Sequence, residues 1–173
     1  MTDRNLFNLE GRTALITGGS RGLGLQIAQA LGEFGARVLV SARKENELRD
    51  ATATLSANDI DADWVAADGS KPEALIALVD AAMQKLGKID ILVNNAGASW
   101  GAPAEDYPLE AWDKVMNLNV RGYFLLSQAI AKASMIPRKQ GRIINVASIA
   151  GLGGNPVFMQ TIAYNTSKGA VVN

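Results

Sequence analysis

Short hydrophobic runs alternate with amphipathic stretches along the chain. Runs rich in β-branched residues predict strands, and five are predicted: Arg12–Thr17, Arg37–Ala42, Ala62–Ala67, Ile89–Val93 and Arg142–Ala147. Apolar residues at helical spacing lie between and after them. Strands that alternate with helices form a parallel sheet through right-handed crossovers, with helices on both faces. The pattern therefore predicts an α/β fold with a Rossmann-type doubly wound parallel sheet.

The helical stretches carry signals for their ends and for their buried faces. The predicted helices are Gly22–Phe34, Glu45–Ala57, one that ends at Gly87, one from about Leu109 to Met135, and one beginning near Tyr164. In the first, Leu23, Ile27, Leu31 and Phe34 form the predicted apolar face, and Gly35 is a left-handed cap. Ser70 and Glu73 form a predicted capping box around Pro72.

Composition restricts the chemistry more than the fold. The 173 residues contain no linker or repeat and are predicted to form one domain, residues 1–173. Lys+Arg and Asp+Glu both number 17, so no basic surface for nucleic acid or an anionic membrane is expected. No apolar run approaches the roughly 20 residues of a membrane span, and no signal-peptide core follows Met1. The default expectation is a cytoplasmic protein.

Histidine and cysteine are both absent from the sequence. Their absence removes the commonest general base, the commonest metal ligand and all thiolate chemistry. No metal site is predicted. Acid–base chemistry would have to come from Asp, Glu, Lys or Tyr side chains.

A glycine-rich turn, Thr17–Gly24, joins the first strand to the first helix. Glycines in that position allow a tight turn and a close approach of the backbone to a pyrophosphate, while the helix N-terminus offers free N–H groups. An ordinary strand–helix turn would show the same glycines. The residues of this turn predicted to bind a dinucleotide are Gly18, Ser20, Arg21, Gly22, Leu23 and Gly24.

The end of the second strand bears on the choice of cofactor. NAD-binding proteins commonly place an acid there to hold the ribose hydroxyls, but this chain has Ala42, Arg43 and Lys44. Arg43 is placed to meet a 2′-phosphate, and Arg21 can reach the same group. The alternative is that Arg43 and Lys44 are solvated loop charges. The pattern favours NADP(H).

Tyr164 and Lys168 lie four residues apart and would share one face of the last helix. An ordinary phenol is a poor acid at neutral pH, but a nearby ammonium and the first turn of a helix both favour the phenolate. The pair is therefore a candidate for proton transfer. Taken alone, a Tyr-x-x-x-Lys pair is more often surface packing.

Four segments together resemble the short-chain dehydrogenase/reductases, in the compact single-domain branch that includes 3-oxoacyl-carrier-protein reductases and gluconate 5-dehydrogenases. The segments are Thr17–Gly24, Asn94–Gly97, Ser148 and Tyr164–Lys168. The resemblance implies an NADP(H)-dependent oxidoreductase that interconverts a carbonyl and a secondary alcohol. It also implies a homodimer or homotetramer.

The resemblance assigns roles residue by residue. Tyr164 matches the catalytic acid/base, Lys168 the lysine that holds the nicotinamide ribose, and Ser148 the serine that hydrogen-bonds the substrate oxygen. Asn119 matches an asparagine that positions a water in a proton relay, and Asn117 is its nearest competitor. The cofactor-lining matches are Asn94, Ala96, Gly97 and Asp68, and Tyr164 and Lys168 are expected to contact the cofactor as well. Ser148 as a plain cap, Asn94 as a strand-end turn and Asp68 as a residue preceding Ser70 are the alternatives.

Three departures accompany the resemblance. Tyr164 comes 16 positions after Ser148, a few more than usual, and the extra residues are expected within Gly151–Ile162, at the substrate mouth. Gly69 stands where a branched apolar residue is usual. Family members continue past the last helix, so the sheet is expected to lack its last strands. The substrate stays open between a 3-oxoacyl thioester and a sugar acid or polyol, and a non-catalytic dinucleotide-binding module or an inactive fragment is the alternative.

Overall fold

Five parallel strands form one sheet in the computed structural model, which describes residues 6–156 and 158–173. The strands are β1 (Thr13–Thr17), β2 (Arg37–Ala42), β3 (Ala62–Ala66), β4 (Ile91–Asn94) and β5 (Arg142–Asn145). Their order is β3-β2-β1-β4-β5. The doubly wound parallel sheet predicted from the sequence is confirmed, with strand ends shifted by one or two residues.

Helices cover both faces of the sheet. They are α1 (Gly22–Glu33), α2 (Glu45–Ser56), α3 (Pro72–Leu86), α4 (Leu109–Met116), α5 (Tyr123–Ile130), α6 (Ile136–Arg138) and α7 (Ile162–Val172). Two π-helical segments, Asn117–Gly122 and Ala131–Met135, join α4, α5 and α6 into one helical run. The predicted long helix is therefore present, but it is interrupted twice and continues past Met135. No helix in the described part of the chain is long and apolar enough to span a membrane.

The alternation of side chains along each strand divides the core into two layers. Leu15, Leu39 and Leu92 point to one face and pack against α3 and α5. Their neighbours along the same strands, such as Ile16 and Val40, point to the other face, towards α1 and α2. In the three central strands nearly all residues of both layers are buried, so helices cover the centre of the sheet from both sides.

Two local predictions were wrong, one of them in part. Ile27 and Leu31 of α1 are partly buried against the core as predicted, but Leu23 and Phe34 are exposed, and the fully buried positions are Gly24 and Ala28. The Ser70 hydroxyl does not cap α3. It donates to the Asp68 carboxylate at 2.7 Å, and Lys71 occupies the cap position without a side-chain bond. The left-handed conformation predicted for Gly35 is present, with φ of 98°.

The sheet changes its direction of winding at β1, which lies between β2 and β4. The chain leaves β1 towards β2 and enters the other half of the sheet through β4. The loops that follow β1 and β4 therefore diverge and leave a crevice at the carboxyl edge of the sheet. Ligands of open α/β sheets bind in such a crevice. The glycine-rich turn after β1 and the loop after β4 border it.

Candidate active site

The glycine-rich turn after β1 is compact because two of its glycines leave no room for a side chain. Gly18 has φ of 65°, and a Cβ there would lie 2.9 Å from the Cα of Ala96. A Cβ on Gly24 would collide with the carbonyl oxygen of Gly18. The turn therefore folds back onto the start of α1, and its backbone borders the crevice directly.

Asn95 ties this turn to the loop that follows β4. Its side-chain amide donates to the carbonyl oxygens of Thr17, at 2.9 Å, and Gly18, at 3.3 Å. The Thr17 hydroxyl accepts from the backbone N–H groups of Asn95 and Ala96. These bonds fix the two walls of the crevice relative to each other. Sequence reasoning missed Asn95 and Thr17 because both act through tertiary contacts rather than through a local pattern.

Asn94, which the sequence singled out, points elsewhere. It is 1% exposed, and its amide donates to Ser127 at 2.9 Å and to Asn145 of β5 at 2.8 Å. Asn94 therefore links β4 to β5 and to α5, and it lies outside the wall of the crevice.

A cavity of about 400 Å³ occupies the crevice between the glycine turn, the end of β2 and the loops after β3 and β4. Of the predicted cofactor residues, it is lined by Gly18, Ser20, Arg21, Gly22, Arg43, Asp68, Ala96 and Gly97. Leu23, Gly24, Asn94, Tyr164 and Lys168 do not line it. Gly24 supports the turn from behind, whereas Leu23 is exposed on α1.

Two arginine side chains in the wall of this cavity, Arg21 and Arg43, form no ion pair with the described residues, whereas Lys44 binds Glu47 at 2.8 Å. The Glu47 carboxylate also accepts from the Ser20 hydroxyl at 3.3 Å. Two guanidinium groups are therefore free to bind an anion here.

The carboxyl group of Asp68 faces the same cavity from the end of β3. Burial alone would raise its pKa, but hydrogen bonds from the Ser70 hydroxyl and backbone N–H, with the nearby charges of Arg43 and Lys71, hold the pKa below its usual value. Asp68 is therefore a charged acceptor at neutral pH.

Tyr164 and Lys168 lie on α7, one turn apart, beside the end of β5. The Lys168 ammonium lies 5.7 Å from the centre of the Tyr164 ring and 5.6 Å from that of the Tyr123 ring. It donates to the carbonyl oxygen of Val146 at 2.5 Å. Lys168 is 4% exposed, and this burial lowers its pKa. The structure thus brings together the Tyr164 phenol, the Lys168 ammonium and the end of β5, which the sequence predicted to be neighbours.

Asn119 joins the loop after β4 to α7. Its amide oxygen accepts from the Ala98 N–H at 2.8 Å, and its amide nitrogen donates to the Ala98 carbonyl and to the Ser167 hydroxyl, both at 2.9 Å. The Ser167 hydroxyl in turn donates to the Tyr164 carbonyl at 2.7 Å. The side chain thus fixes the helix that carries Tyr164. It lies in a π-helical segment, an irregularity frequent at functional sites.

Ser148 and Tyr164 line a second cavity, of about 490 Å³, next to the first. The Ser148 hydroxyl also accepts from the Ala150 N–H at 3.1 Å and so caps the short 3₁₀ turn Ile149–Gly151. The cap alternative considered for this serine is therefore correct, yet the same residue borders the cavity. That turn packs closely on α7, since a Cβ on Gly151 would lie 2.5 Å from the Lys168 carbonyl.

The predicted insertion, Gly151–Ile162, forms the outer wall of the second cavity; Val157 lies outside the described residues. Asn155 holds it in place, because its amide donates to Thr161 at 2.8 Å and to Asn165 of α7 at 2.9 Å. The Gln160 carbonyl accepts from the Ala102 N–H at 2.9 Å and joins this wall to the loop after β4.

The arrangement of a glycine-lined crevice beside a tyrosine–lysine helix defines a class of dinucleotide-binding oxidoreductases. The model of the short chain dehydrogenase family matches residues 12–173. The chain belongs to this family.

Curated relatives share most of this chain. It is 42% identical over 168 residues to the rhamnolipids biosynthesis 3-oxoacyl-[acyl-carrier-protein] reductase of Pseudomonas aeruginosa, covering 95% of this chain and 64% of that protein. It is 38% identical over 173 residues to the gluconate 5-dehydrogenase of Gluconobacter oxydans, covering 100% and 66%. The chain therefore spans about two thirds of the length of these relatives.

The fold also matches solved structures. A crystal structure of actinorhodin polyketide ketoreductase with NADPH superposes with a TM-score of 0.90 at 35% identity, covering 99% of this chain and 63% of that one. The sheet and the flanking helices described above are therefore those of a short-chain dehydrogenase.

Proposed function

We propose that the protein is an NADP(H)-dependent oxidoreductase that interconverts a carbonyl and a secondary alcohol, with Tyr164 as the acid/base. The observation that carries the proposal is the adjacency of the two cavities. One is lined by the glycine turn and by free cations, and the other by Ser148 and Tyr164. The loop after β4 borders both, with Gly97 on the first and Ser99 on the second.

The first cavity fits a dinucleotide phosphate by its shape and its charge. The places of side chains at Gly18 and Gly24 are filled by neighbouring backbone, so the turn can present its N–H groups to a pyrophosphate. Arg21 and Arg43 would hold the 2′-phosphate through charge-assisted hydrogen bonds. The Asp68 carboxylate would accept a hydrogen bond from the adenine ring of the cofactor. The similar structure of a polyketide ketoreductase with NADPH supports this choice.

In the reductive direction, the nicotinamide of NADPH, when bound, would supply the hydride for the carbonyl carbon. Ser148 donates a hydrogen bond to the carbonyl oxygen and polarises it. Tyr164 donates its phenolic proton to that oxygen as negative charge develops there. The Lys168 ammonium stabilises the phenolate left behind. Asn119 holds α7 in a fixed position against the loop after β4. The oxidation of an alcohol uses the same groups in reverse.

The test is NADPH oxidation by the purified protein with a panel of ketones, ketoesters and ketosugar acids. Tyr164→Phe should reduce turnover by about 10³-fold, because it removes the only proton donor proposed for the alkoxide. The binding of NADPH, followed by its fluorescence, should stay near the wild-type value, since Tyr164 does not line the first cavity.

Two results would contradict the proposal. A Tyr164→Phe protein that turns over at the full rate would remove the role of Tyr164. NADPH binding without oxidation of any member of the panel would instead favour a non-catalytic dinucleotide-binding module.

A further inference from the structure

The cavity beside Tyr164 has no charged group in its described wall. It is lined by Ser99, Ser148, Ile149, Ala150, Gly153, Gly154, Asn155, Pro156, Met159, Thr161 and Tyr164. In the sequence, every residue between Arg142 and Lys168 is uncharged. Lys168 itself donates to the Val146 carbonyl from a buried position. A carboxylate bound against this described wall would lose part of its hydration without gaining a cation from the wall, which is unfavourable.

The same wall presents large apolar side chains to solvent. Ile149 is 87% exposed and Met159 is 50% exposed, and both line the cavity. Leu152 and Phe158, on the same segment, are also exposed. Apolar side chains exposed together beside a catalytic residue indicate a surface that binds an apolar partner.

This apolar wall is held in position by hydrogen bonds. Asn155 donates to Thr161 and Asn165, and the Gln160 carbonyl accepts from Ala102. The segment is thus tied both to α7 and to the loop after β4, the two elements that carry Tyr164 and Ser99. A substrate chain lying along the segment would be placed with its carbonyl group near Ser148 and Tyr164.

We propose that the substrate is a ketone whose substituents are uncharged and apolar, such as the acyl chain of a 3-oxoacyl thioester or ester, and not a sugar acid. This inference rests on the function proposed above and selects between the substrate classes that the two curated relatives represent. The recognition chemistry is burial of methylene groups against Ile149, Pro156 and Met159.

The test compares kcat/KM for ethyl 3-oxohexanoate, ethyl 3-oxooctanoate and 5-oxogluconate with NADPH. Each methylene buried should raise kcat/KM about fourfold, so the octanoate should exceed the hexanoate by about 15-fold. It should exceed 5-oxogluconate by about 100-fold or more, because the described wall offers the carboxylate no cation.

Two variants at one position sharpen the test. Met159→Lys places an ammonium at the cavity, so the preference for the octanoate over 5-oxogluconate should fall by about tenfold or more. Met159→Leu keeps the apolar character and should keep the preference. Because Met159 is half exposed, both variants should fold, and thermal unfolding checks this.

The contrary outcomes separate the two proposals. A preference for 5-oxogluconate would overturn this inference and leave the carbonyl–alcohol oxidoreductase intact. Equal kcat/KM for the two esters would also overturn it, because the exposed apolar residues would then serve some other contact. Turnover of none of the three, while another ketone of the panel is reduced, would overturn this inference alone, whereas failure of the whole panel would overturn the proposed function as well.

Discussion

The cavity beside the glycine turn and the cavity beside Tyr164 differ most in their charged groups. Arg21, Arg43, Lys44, Glu47 and Asp68 surround the first, whereas no charged residue lines the described wall of the second. This difference matches the proposed roles of the two cavities. The first would bind the charged phosphates of the cofactor, and in the second a negative charge developing on the substrate would meet Ser148, Tyr164 and the nearby Lys168.

The strands that lead to the two cavities also differ, in their burial. Every residue of β1 is buried, whereas every residue of β5 is exposed, with Ile143 and Ile144 on its surface. The glycine turn therefore follows a strand that has a neighbour on each side, whereas β5 has one neighbouring strand in the described part of the chain.

The largest effect should come from the catalytic side. Ser148→Ala should lower kcat/KM by about 100- to 1,000-fold, because it removes the hydrogen bond to the developing oxyanion. NADPH affinity should change little, since Ser148 does not line the first cavity. Steady-state kinetics and NADPH titration measure the two quantities.

Ser56→Ala, at the end of α2, is the matched control for the serine substitution and should behave as the wild type. A Ser148→Ala protein with near wild-type kcat/KM would remove this residue from the mechanism.

A smaller effect, confined to the cofactor, should come from Arg43. Arg43→Gln should weaken NADPH binding by about 10- to 100-fold, the range expected for loss of a charge-assisted hydrogen bond. NADH binding should be unchanged, because NADH has no 2′-phosphate. Equilibrium titration with both nucleotides measures the ratio.

Arg49→Gln removes a guanidinium that pairs with Glu45 outside the cavity, and it should leave both affinities unchanged. An equal loss of NADPH and NADH affinity in Arg43→Gln would contradict recognition of the 2′-phosphate.

The smallest effect should come from the end of the sheet opposite both cavities. Asp90, just before β4, is 3% exposed and binds Arg138 at 2.7 Å and Lys88 at 3.3 Å. Burial alone would raise its pKa, but the hydrogen bonds from Arg138, the Thr13 N–H and Lys88 hold the pKa below its usual value. A carboxyl whose pKa is lower in the folded state stabilises that state above its unfolded pKa, about 3.9.

The stability that Asp90 provides should therefore be lost as the pH falls below about 4. Asp90→Asn should lower the free energy of unfolding at pH 7 by about 1–2 kcal/mol and flatten its dependence on acid pH. NADPH affinity should not change. Urea unfolding at several pH values tests this, and an identical pH dependence in the two proteins would contradict it.

The sequence predicted the strands and the glycine turn well, because these depend on local periodicity and on backbone conformation. It did not show that Asn95, rather than Asn94, faces the crevice, since this depends on how β4 pairs with β5. It also missed the π-helical segment at Asn119, where three bonds to Ala98 and Ser167 replace a regular local pattern. Contacts between distant segments leave no periodic trace in a sequence.

The partly wrong face predicted for α1 has a similar cause. Large apolar residues at helical spacing normally mark the buried side, and Ile27 and Leu31 do pack against the core. At the start of the helix, however, the close contact with the glycine turn leaves no room for a side chain at Gly24, and Leu23 is exposed.

The most direct test of the account follows the hydride itself. Ethyl 3-oxooctanoate would be reduced with NADPH carrying deuterium at C4 of the nicotinamide, each C4 epimer in turn, and the product alcohol analysed by mass spectrometry and NMR. We predict one deuterium on the carbinol carbon with one epimer and none with the other. A product alcohol free of deuterium with both epimers would contradict direct hydride transfer beside Tyr164.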